Sequence, residues 1–485
     1  MKKFIFITIA LFTSFNIQIF AQEETLIIGG ELLTKNRIRI NDSLPLSWNE
    51  NRLDIQLTRK IKDFGKFNAN VWFRSFNFTE NDLQNPFYTS NLTLPFSFEV
   101  REAYFELYNF IIKNLDITIG RQRIAWGTAD GINPTDNLSP YDLSDIWDFT
   151  NNHSGIDAID FRYYIKDTKI EGVFLPYFVP ARLPFGDWWQ AFGREEKLPD
   201  SMIVKEVNNL IPPITLNIKY NKVNYNYILP ANNLTETPGY GIKIAKNLLG
   251  FDFSLSYVYT RDALPLLNKT TVLVDSVSST YDTAFLTVNN ELIYPKINIF
   301  GFDFAGTLGN FGIRGELGVY IPEKKFMVNV ESTDPNELIN IPPLEFEVEG
   351  IPKDSIVLDK KPYAKYVLGL DYFFANGYYI NLQYFHGFIN ERGYNNLNNY
   401  LSLHFEMKFL DEKIIFSPSD FILATYDFNN PENNFAYVYM PSLSYQATDN
   451  AKIELGIRII DGKGNGLFSN IKDKDHFFIK AKYSF

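Results

Sequence analysis

The sequence predicts an all-β protein: a transmembrane antiparallel β-barrel of about 18 strands, within a range of 16–18, with short periplasmic turns and long extracellular loops. Three observations lead to this prediction. Apolar and polar residues alternate along segments of about 10 residues, short turns alternate with long connections, and the last strand ends on an aromatic residue.

The alternation is clearest near the C-terminus. In 401–409 every second residue is apolar, and Ser402, His404, Glu406 and Lys408 lie between them. In a soluble sandwich the polar face would meet solvent, whereas in a barrel it lines the lumen. Connection lengths favour the barrel, because tight turns such as 62–65 alternate with polar connections of up to about 40 residues. The weakest strand assignment is 180–237, where 215–220 fits either an extra strand or part of a folded loop.

The N-terminus has the pattern of a secretory signal peptide. Lys2 and Lys3 precede an apolar run, and Ala21 stands before Gln22. We expect 1–21 to be a cleaved signal peptide and 22–485 to form one outer-membrane β-barrel domain; an uncleaved membrane anchor is the alternative. No other segment approaches the roughly 20 apolar residues of a spanning helix. Export and barrel pattern together predict the cell outer membrane of a Gram-negative bacterium.

Composition excludes several classes of protein. Cysteine is absent, so the chain has no disulfide, thiol nucleophile or acylated cysteine. Aromatic residues make up 16% of the chain, as in barrels with aromatic girdles at both membrane interfaces. The formal net charge of −11 makes nucleic acid an unfavourable partner.

The last strand, 476–485, alternates apolar and polar residues and has Tyr483 two positions before the terminal Phe485. This ending resembles the assembly signal of Gram-negative outer-membrane barrels. The resemblance implies that the barrel-assembly machinery recognises Phe485, and that outer-membrane lipid and lipopolysaccharide surround the folded barrel.

Segment 101–145 carries a more specific resemblance. It contains a strand that ends in Gly120-Arg121-Gln122, a Trp126-Gly127 pair and an Asn133-Pro134 loop. These motifs resemble a porin-like family of Gram-negative outer-membrane β-barrels of unknown function, distantly similar to alginate-export-type porins. The resemblance implies a pore or export channel without fixing its substrate. Porin-like barrels are often homotrimers, but no sequence segment identifies an interface.

Charged residues at inward positions are the candidates for the lumen wall and its constriction. Alternation places Arg121 and Arg123 outward, so we expect a bulge or the end of the membrane there, with either arginine bound to Glu102 or Glu106. The candidates are Arg121, Arg123, Asp116, Arg162, Arg314, Glu316, Glu406, Lys408, Lys452 and Arg458. The slightly basic lumen predicts a weak anion preference.

Two loops have unusual compositions. Loop 127–155 is rich in aspartate and has no lysine or arginine, which predicts a solvated or lipopolysaccharide-facing loop rather than a calcium site. Loop 180–212 is aromatic and could fold inward as a plug or constriction, or offer a greasy or sugar-stacking surface. Its candidates for substrate contact are Phe185, Trp188 and Trp189.

The predicted function is an outer-membrane porin or export channel that passes a solute, or a lipid-like or polymeric substrate, by diffusion through the lumen. The first alternative is a plugged structural or partner-binding adhesive barrel. The second is an outer-membrane barrel enzyme, which is disfavoured because the four histidines are scattered and have no metal-ligand spacing. We therefore predict no catalytic residue, no metal site and no cofactor.

Overall fold

The computed structural model describes residues 26–40, 46–76, 96–148, 152–184, 188, 201–206, 212–231, 233–280, 282–332, 346–349, 355–375, 377–464 and 466–485. The predicted signal peptide therefore lies outside the described residues. Within the described part of the chain, no helix is long and apolar enough to cross a membrane.

The main sheet of the described residues is a closed antiparallel barrel, in which the first strand pairs with the last. The barrel strands are β1 (Leu26–Arg39), β2 (Leu46–Ile61), β3 (Gly65–Phe76), β4 (Phe96–Leu107), β5 (Leu115–Gln122), β6 (Ile156–Ile165), β7 (Thr168–Leu175), β10 (Gly239–Leu248), β11 (Phe251–Arg261), β14 (Lys296–Leu308), β15 (Phe311–Pro322), β19 (Tyr363–Phe373), β20 (Tyr379–His386), β21 (Asn399–Phe409), β22 (Ile414–Ser417), β23 (Phe421–Thr425), β24 (Phe435–Tyr439), β25 (Ser442–Thr448), β26 (Ala451–Lys463) and β27 (His476–Ser484).

The 20 segments make 18 strands, because two strands are each interrupted once. Strand β21 pairs with both β22 and β23, and β26 pairs with both β24 and β25, so β22–β23 and β24–β25 each cross the wall as one strand. The predicted fold class and the count of 18 are confirmed. Two short 3-10 helices, Pro431–Asn433 and Ser469–Ile471, lie in the loops before β24 and β27.

Three extracellular loops build a second sheet of seven strands. Its members are β8 (Ser201–Glu206), β9 (Ile214–Tyr227), β12 (Leu266–Val277), β13 (Thr283–Ile293), β16 (Phe326–Ser332), β17 (Phe346–Glu349) and β18 (Ser355–Leu358). Alternate residues of β13 are buried, among them Ala284, Leu286 and Val288. Of these, Ala284 and Leu286 pack in one cluster with Leu216 and Val272. Residues 215–220 therefore belong to a folded loop and not to the barrel wall.

The two faces of the barrel wall differ as alternation requires. On β10, Tyr240, Ile242 and Ile244 are exposed outward, whereas Lys243 between them is buried in the lumen. The outer surface is thus an apolar belt with aromatic residues, and the inner surface is charged and hydrogen-bonded. This is the surface pattern of an outer-membrane barrel.

Candidate functional site

The lumen contains a stretch of chain, residues 123–148, that connects β5 towards β6 and that we call the lumen segment. Its residues contact β15 and β20 on one side of the barrel and β1, β2 and β4 on the other. The predicted exposure of this acidic loop is therefore wrong: Asp136, Asp142 and Asp145 are buried. The segment crosses the lumen and divides it.

Glu316 of β15 anchors one end of the lumen segment. Its carboxylate accepts hydrogen bonds from the backbone N–H groups of Ala129 at 2.6 Å and Thr135 at 3.3 Å, and from the Thr135 hydroxyl at 2.9 Å. The backbone N–H of Thr128 and the Asn133 amide, at 3.1 Å, complete the set. Five donors on one carboxylate, which is 3% exposed, define the position of 128–135 against the wall.

A second anchor lies beside the first. The Arg314 guanidinium binds Asp130 of the lumen segment at 2.6 Å and also binds Asp371 of β19. The Asn381 amide donates to Asp130 at 3.0 Å, and Gln383 accepts from the Asp130 backbone N–H at 3.3 Å. Arg314 and Glu316, predicted as lumen residues, are thus brought together at this contact.

Glycines in the wall let the lumen segment lie close to it. A Cβ atom on Gly318 would be 2.6 Å from the carbonyl oxygen of Pro134, and one on Gly301 would be 3.1 Å from Thr135 Cγ2. On β10, a Cβ on Gly241 would be 2.8 Å from the ring of Trp126. The contact of Gly318 with a backbone oxygen leaves no room for a Cβ atom, whereas a Cβ at Gly241 or Gly301 would require the lumen segment to shift.

The opposite end of the lumen segment binds a cationic wall. Asp145 accepts hydrogen bonds from Lys35 at 2.8 Å and from Arg37 at 2.5 Å. Burial alone would raise the pKa of Asp145, but the charges of Arg37 and Lys35 hold it well below its usual range. An ionised and fully paired carboxylate fixes this end to β1.

Asp142 makes a similar contact with β4. Arg101 binds it at 2.5 Å, and Arg182 approaches it to 3.6 Å. Burial opposes ionisation, yet the charges of Arg182 and Arg101 hold the pKa of Asp142 below its usual range. Removing one member of such a buried pair costs about 3–5 kcal/mol, because it leaves the other charge without compensation.

His153 is a buried titratable group just after the lumen segment. Burial lowers the pKa of His153 to about 4, although nearby Asp136 opposes the shift. Its Nδ1 lies 2.8 Å from the side-chain oxygen of Asn152, and its ring lies 4.3 Å from that of Tyr141. The imidazole is therefore neutral at neutral pH and packs as an aromatic ring.

Trp188, predicted for substrate contact, lies inside the barrel and is 2% exposed. Its ring is 5.7 Å from that of Trp147 and 5.5 Å from that of His476 on β27. The Arg458 guanidinium lies 5.0 Å above Trp147. The side chain of Trp188 thus lies inward, whereas Phe185 and Trp189 lie outside the described residues.

Arg121 and Arg123 have different environments. Arg121 faces outward and binds Asp157 of β6 at 3.2 Å, and β5 keeps its register there without a bulge. Arg123 has left the strand; its backbone N–H donates to Glu102 at 2.9 Å, and its guanidinium binds Asp136. The expected partner Glu102 is thus present for Arg123 but through the backbone, and Arg121 does not line the lumen.

The remaining candidates line the wall away from the lumen segment. Arg162 binds Glu106 at 2.9 Å and pairs in register with Asp116. Lys408 lies 3.1 Å from Glu412 and 3.9 Å from Glu406, and Lys452 is opposite Lys482 in the register of β26 and β27. These side chains are partly exposed, and they make the inner wall wet and polar below the crossing.

Several residues of the crossing were not predicted. Lys35 and Arg37 bind Asp145, Arg101 binds Asp142, and Glu171 accepts from the Trp126 indole at 2.7 Å. One signal was present in the sequence: Lys35, Arg37 and Arg39 are spaced by two, so they line one face of a strand. Across the described residues, no group of three or more acidic or histidine side chains could hold a metal ion.

Comparisons with known proteins concern the fold. No family model matches the sequence, and a search of curated proteins finds no relative. Several solved structures resemble the chain over nearly its whole length. They include Acinetobacter baumannii OccAB4 (TM-score 0.49, 9% identity, 96% of this chain and 99% of that chain), Pseudomonas aeruginosa OccK11 (0.45, 6%, 95% and 95%) and Salmonella typhi OmpF in complex with daunomycin (0.39, 9%, 95% and 98%).

At these identities the fold assignment rests on the strand pairing of this chain itself. The porin-like barrel of the predicted resemblance is confirmed by that pairing. The predicted distant similarity to alginate-export porins finds no support in these neighbours.

Proposed function

We propose that the protein is an outer-membrane diffusion channel whose narrowest part is formed by the lumen segment. The observation that carries this proposal is the crossing itself: 128–135 is anchored on β15 while Asp145 is anchored on β1. A solute that passes through the barrel must pass beside this segment. The polar wall formed by Asp116, Arg162, Glu406, Lys408 and Lys452 would line the wider part of the path.

The side chains of the inner barrel wall indicate the general class of solute but not its identity. Acidic and basic side chains alternate around the lumen, which suits a small polar solute more than a lipid-like or polymeric one. The charges of the lumen segment that bind the wall are paired with opposite charges, and the weak anion preference remains a prediction. A reversal potential in a salt gradient measures it directly.

The apolar belt is the surface that outer-membrane lipid and lipopolysaccharide would cover. Phe485 closes the barrel: its backbone N–H donates to Gly30 and its carbonyl accepts from Gly30, both at 3.0 Å. The side chain of Phe485 points outward, where the assembly machinery could recognise it during folding. The proposed assembly in the membrane is a homotrimer.

The experiment is single-channel conductance of the refolded mature chain in a planar bilayer. Gln122 and Ile156 are paired neighbours, so a variant with 124–154 replaced by a four-residue Gly-Ser turn keeps both strand ends together. We expect open steps for the wild type and a severalfold larger conductance for this variant. A matched control shortens the extracellular connection between β23 and β24 and should leave the conductance unchanged.

A plugged barrel is the second candidate, and the burial of Asp136, Asp142, Asp145, Trp147 and Trp188 inside the lumen favours it. The same measurement separates the two functions. A silent wild type together with a conducting turn variant, with folding confirmed by heat-modifiable gel mobility, identifies the lumen segment as a plug. If neither folded protein conducts ions, the result contradicts both the open channel and the barrel that is plugged by the lumen segment.

A further inference from the structure

The outward face of β1–β3 carries a contiguous row of small polar side chains. Thr34 is opposite Asn51 of β2, and Asn51 is opposite Ser75 of β3; Asn36 is opposite Asn49. Their sequence neighbours Lys35, Glu50, Arg52 and Arg74 are buried in the lumen, so alternation directs the polar row to the outside. We call Thr34, Asn36, Asn49, Asn51 and Ser75 the polar row.

The polar row lies within the apolar belt and not at its edge. On β1, outward Leu32 is 49% exposed and outward Ile38 is 40% exposed, and Thr34 and Asn36 lie between them. Six residues of strand span about 20 Å, less than the roughly 25 Å of the apolar band of an outer-membrane barrel. On β2, outward Leu46 and Leu53 flank Asn49 and Asn51 in the same way.

The hydrocarbon of the membrane offers no hydrogen-bond partner to the side chains of the polar row. The Asn49 amide donates to the side-chain oxygen of Asn36, and the Asn49 Oδ1 atom is buried from the outer surface. The polar side chains that remain to face lipid are those of Asn51, which is exposed, and of Thr34 and Ser75, which are half-buried. An unpaired amide or hydroxyl costs free energy in a lipid environment, because no water replaces the missing partner. The opposite side of the barrel has an apolar outward face instead. Its exposed residues are Ile242, Ile244, Leu255, Phe300, Leu317 and Leu368.

The surface around the polar row is also uneven. One shallow depression of about 720 Å³ is lined by Thr34, Asn51 and Ala481 together with the larger Leu32 and Phe73. A second depression of about 500 Å³ lies beside Asn36 on β25–β27. Small and polar side chains in depressions are what close protein packing in a membrane uses.

We propose that the β1–β3 face, centred on the polar row, packs against a second copy of this chain in the outer membrane. An asparagine amide both donates and accepts, so a row of Asn, Thr and Ser is complementary to itself. The row carries no charge that would require a partner of opposite sign. Packing supplies the missing hydrogen bonds and fills the depressions with side chains of the other copy. The inference depends on the membrane-spanning barrel and not on transport.

The absence of cysteine in the sequence allows a clean cross-linking test. Asn51→Cys introduces one thiol in the polar row, and Leu368→Cys introduces one on the outward face of β19 as a matched control. Intact outer-membrane vesicles are treated with a flexible bismaleimide. We expect a band at twice the chain mass, or more, for Asn51→Cys and none for Leu368→Cys. Equal bands, or no band for Asn51→Cys, overturn the proposal.

A second variant tests the hydrogen bonds. Asn36→Leu combined with Asn51→Leu makes the row compatible with lipid, so the barrel itself should fold. We expect the mass in lipid nanodiscs to fall from an oligomer to one chain. Asn298→Leu, an outward asparagine on β14 bound to Tyr257, makes the same change elsewhere and should leave the oligomer intact.

Three results contradict the self-association. They are a wild type that is a single chain in nanodiscs without lipopolysaccharide, a wild type that is a single chain in nanodiscs with lipopolysaccharide added, and a double variant whose oligomer is unchanged. Conductance is measured on the same preparations, so loss of the oligomer with conductance retained is distinct from failure of the proposed channel.

Discussion

Glu316 and Thr135, 181 residues apart in the chain, are joined by two hydrogen bonds inside the barrel: the Thr135 hydroxyl donates at 2.9 Å and its backbone N–H at 3.3 Å. This contact fixes a loop of one side of the barrel to the wall of the other. Any channel function of the protein therefore depends on a side chain far from the loop in sequence.

Glu316→Gln should loosen the lumen segment. The change removes the negative charge and replaces one acceptor oxygen by a donor, so several of the five donors lose their partner. Each unsatisfied buried donor costs about 1–3 kcal/mol. We expect a larger or noisier single-channel conductance. Glu406→Gln, on the wall away from the segment, is the control, and identical traces for Glu316→Gln and wild type would argue against the anchor.

The fold could be predicted from the sequence because alternation is a local property. Each strand shows its inner and outer face within about ten residues, and the structure places the side chains of Arg314, Glu316 and Arg458 on the inner face. The breaks between β22 and β23 and between β24 and β25 do not change the count, because both segments pair with the same neighbour.

The crossing could not be predicted because its partners are distant. The aspartates of 127–155 were read as solvated since no cation lies in that stretch of sequence. Lys35 and Arg37, which pair with Asp145, are 110 and 108 residues away. A count of the charges within the loop therefore predicted a solvent-exposed loop, whereas the loop lies inside the lumen. For Trp188 the aromatic residues around it in the sequence left both an inward fold and an exposed contact surface open, and the structure buries its side chain.

Acid should release the lumen segment. Free His153 titrates near 6.5 and docked His153 near 4. His153 forms an isolated β-bridge with Tyr141 of the lumen segment, so between these pH values only the state in which both are released binds the proton. The docking free energy is therefore complete above about pH 6.5 and falls as the pH decreases towards 4. The lowered pKa values of Asp142 and Asp145 extend the loss below the usual aspartate range.

Hydrogen exchange of the backbone amides of 128–148 measures this release. We expect faster exchange at about pH 4.5 than at pH 7, after correction for the intrinsic rate. His153→Gln stays neutral at all these pH values and should remove the difference between pH 6.5 and 4.5. Equal protection of wild type at both values would show that His153 does not control docking.

Gly318→Val should displace the lumen segment from β15. The new Cβ would lie 2.6 Å from the Pro134 carbonyl oxygen, a backbone atom that cannot move alone. We expect weaker protection of 128–135 and a conductance change like that of Glu316→Gln. Gly172→Ala is the control, since a Cβ there meets nothing within 4 Å. Unchanged exchange in Gly318→Val would mean that the segment adapts without moving.

The adjacent arginines should behave differently on truncation. Arg121→Ala removes an exposed outward pair with Asp157, which is worth about 0–1 kcal/mol, and should leave conductance and stability nearly unchanged. Arg123→Ala removes the guanidinium that binds buried Asp136, so the lumen segment should loosen. Conductance and thermal unfolding of both variants measure the contrast. A stronger effect of Arg121→Ala would place the constriction at the outer rim of β5.

Gly30→Val should impair closure of the barrel. A Cβ on Gly30 would lie 2.6 Å from the ring of Phe485 and 2.2 Å from the backbone oxygen of Asp54, so both strands that pair with β1 would be pushed away. The two hydrogen bonds between Gly30 and Phe485 would be lost with the displacement. We expect a much lower yield of heat-modifiable folded barrel. Gly29→Ala, whose Cβ would be 3.3 Å from the Phe485 oxygen, should fold nearly as wild type, and equal yields for the two variants would contradict this account of the seam.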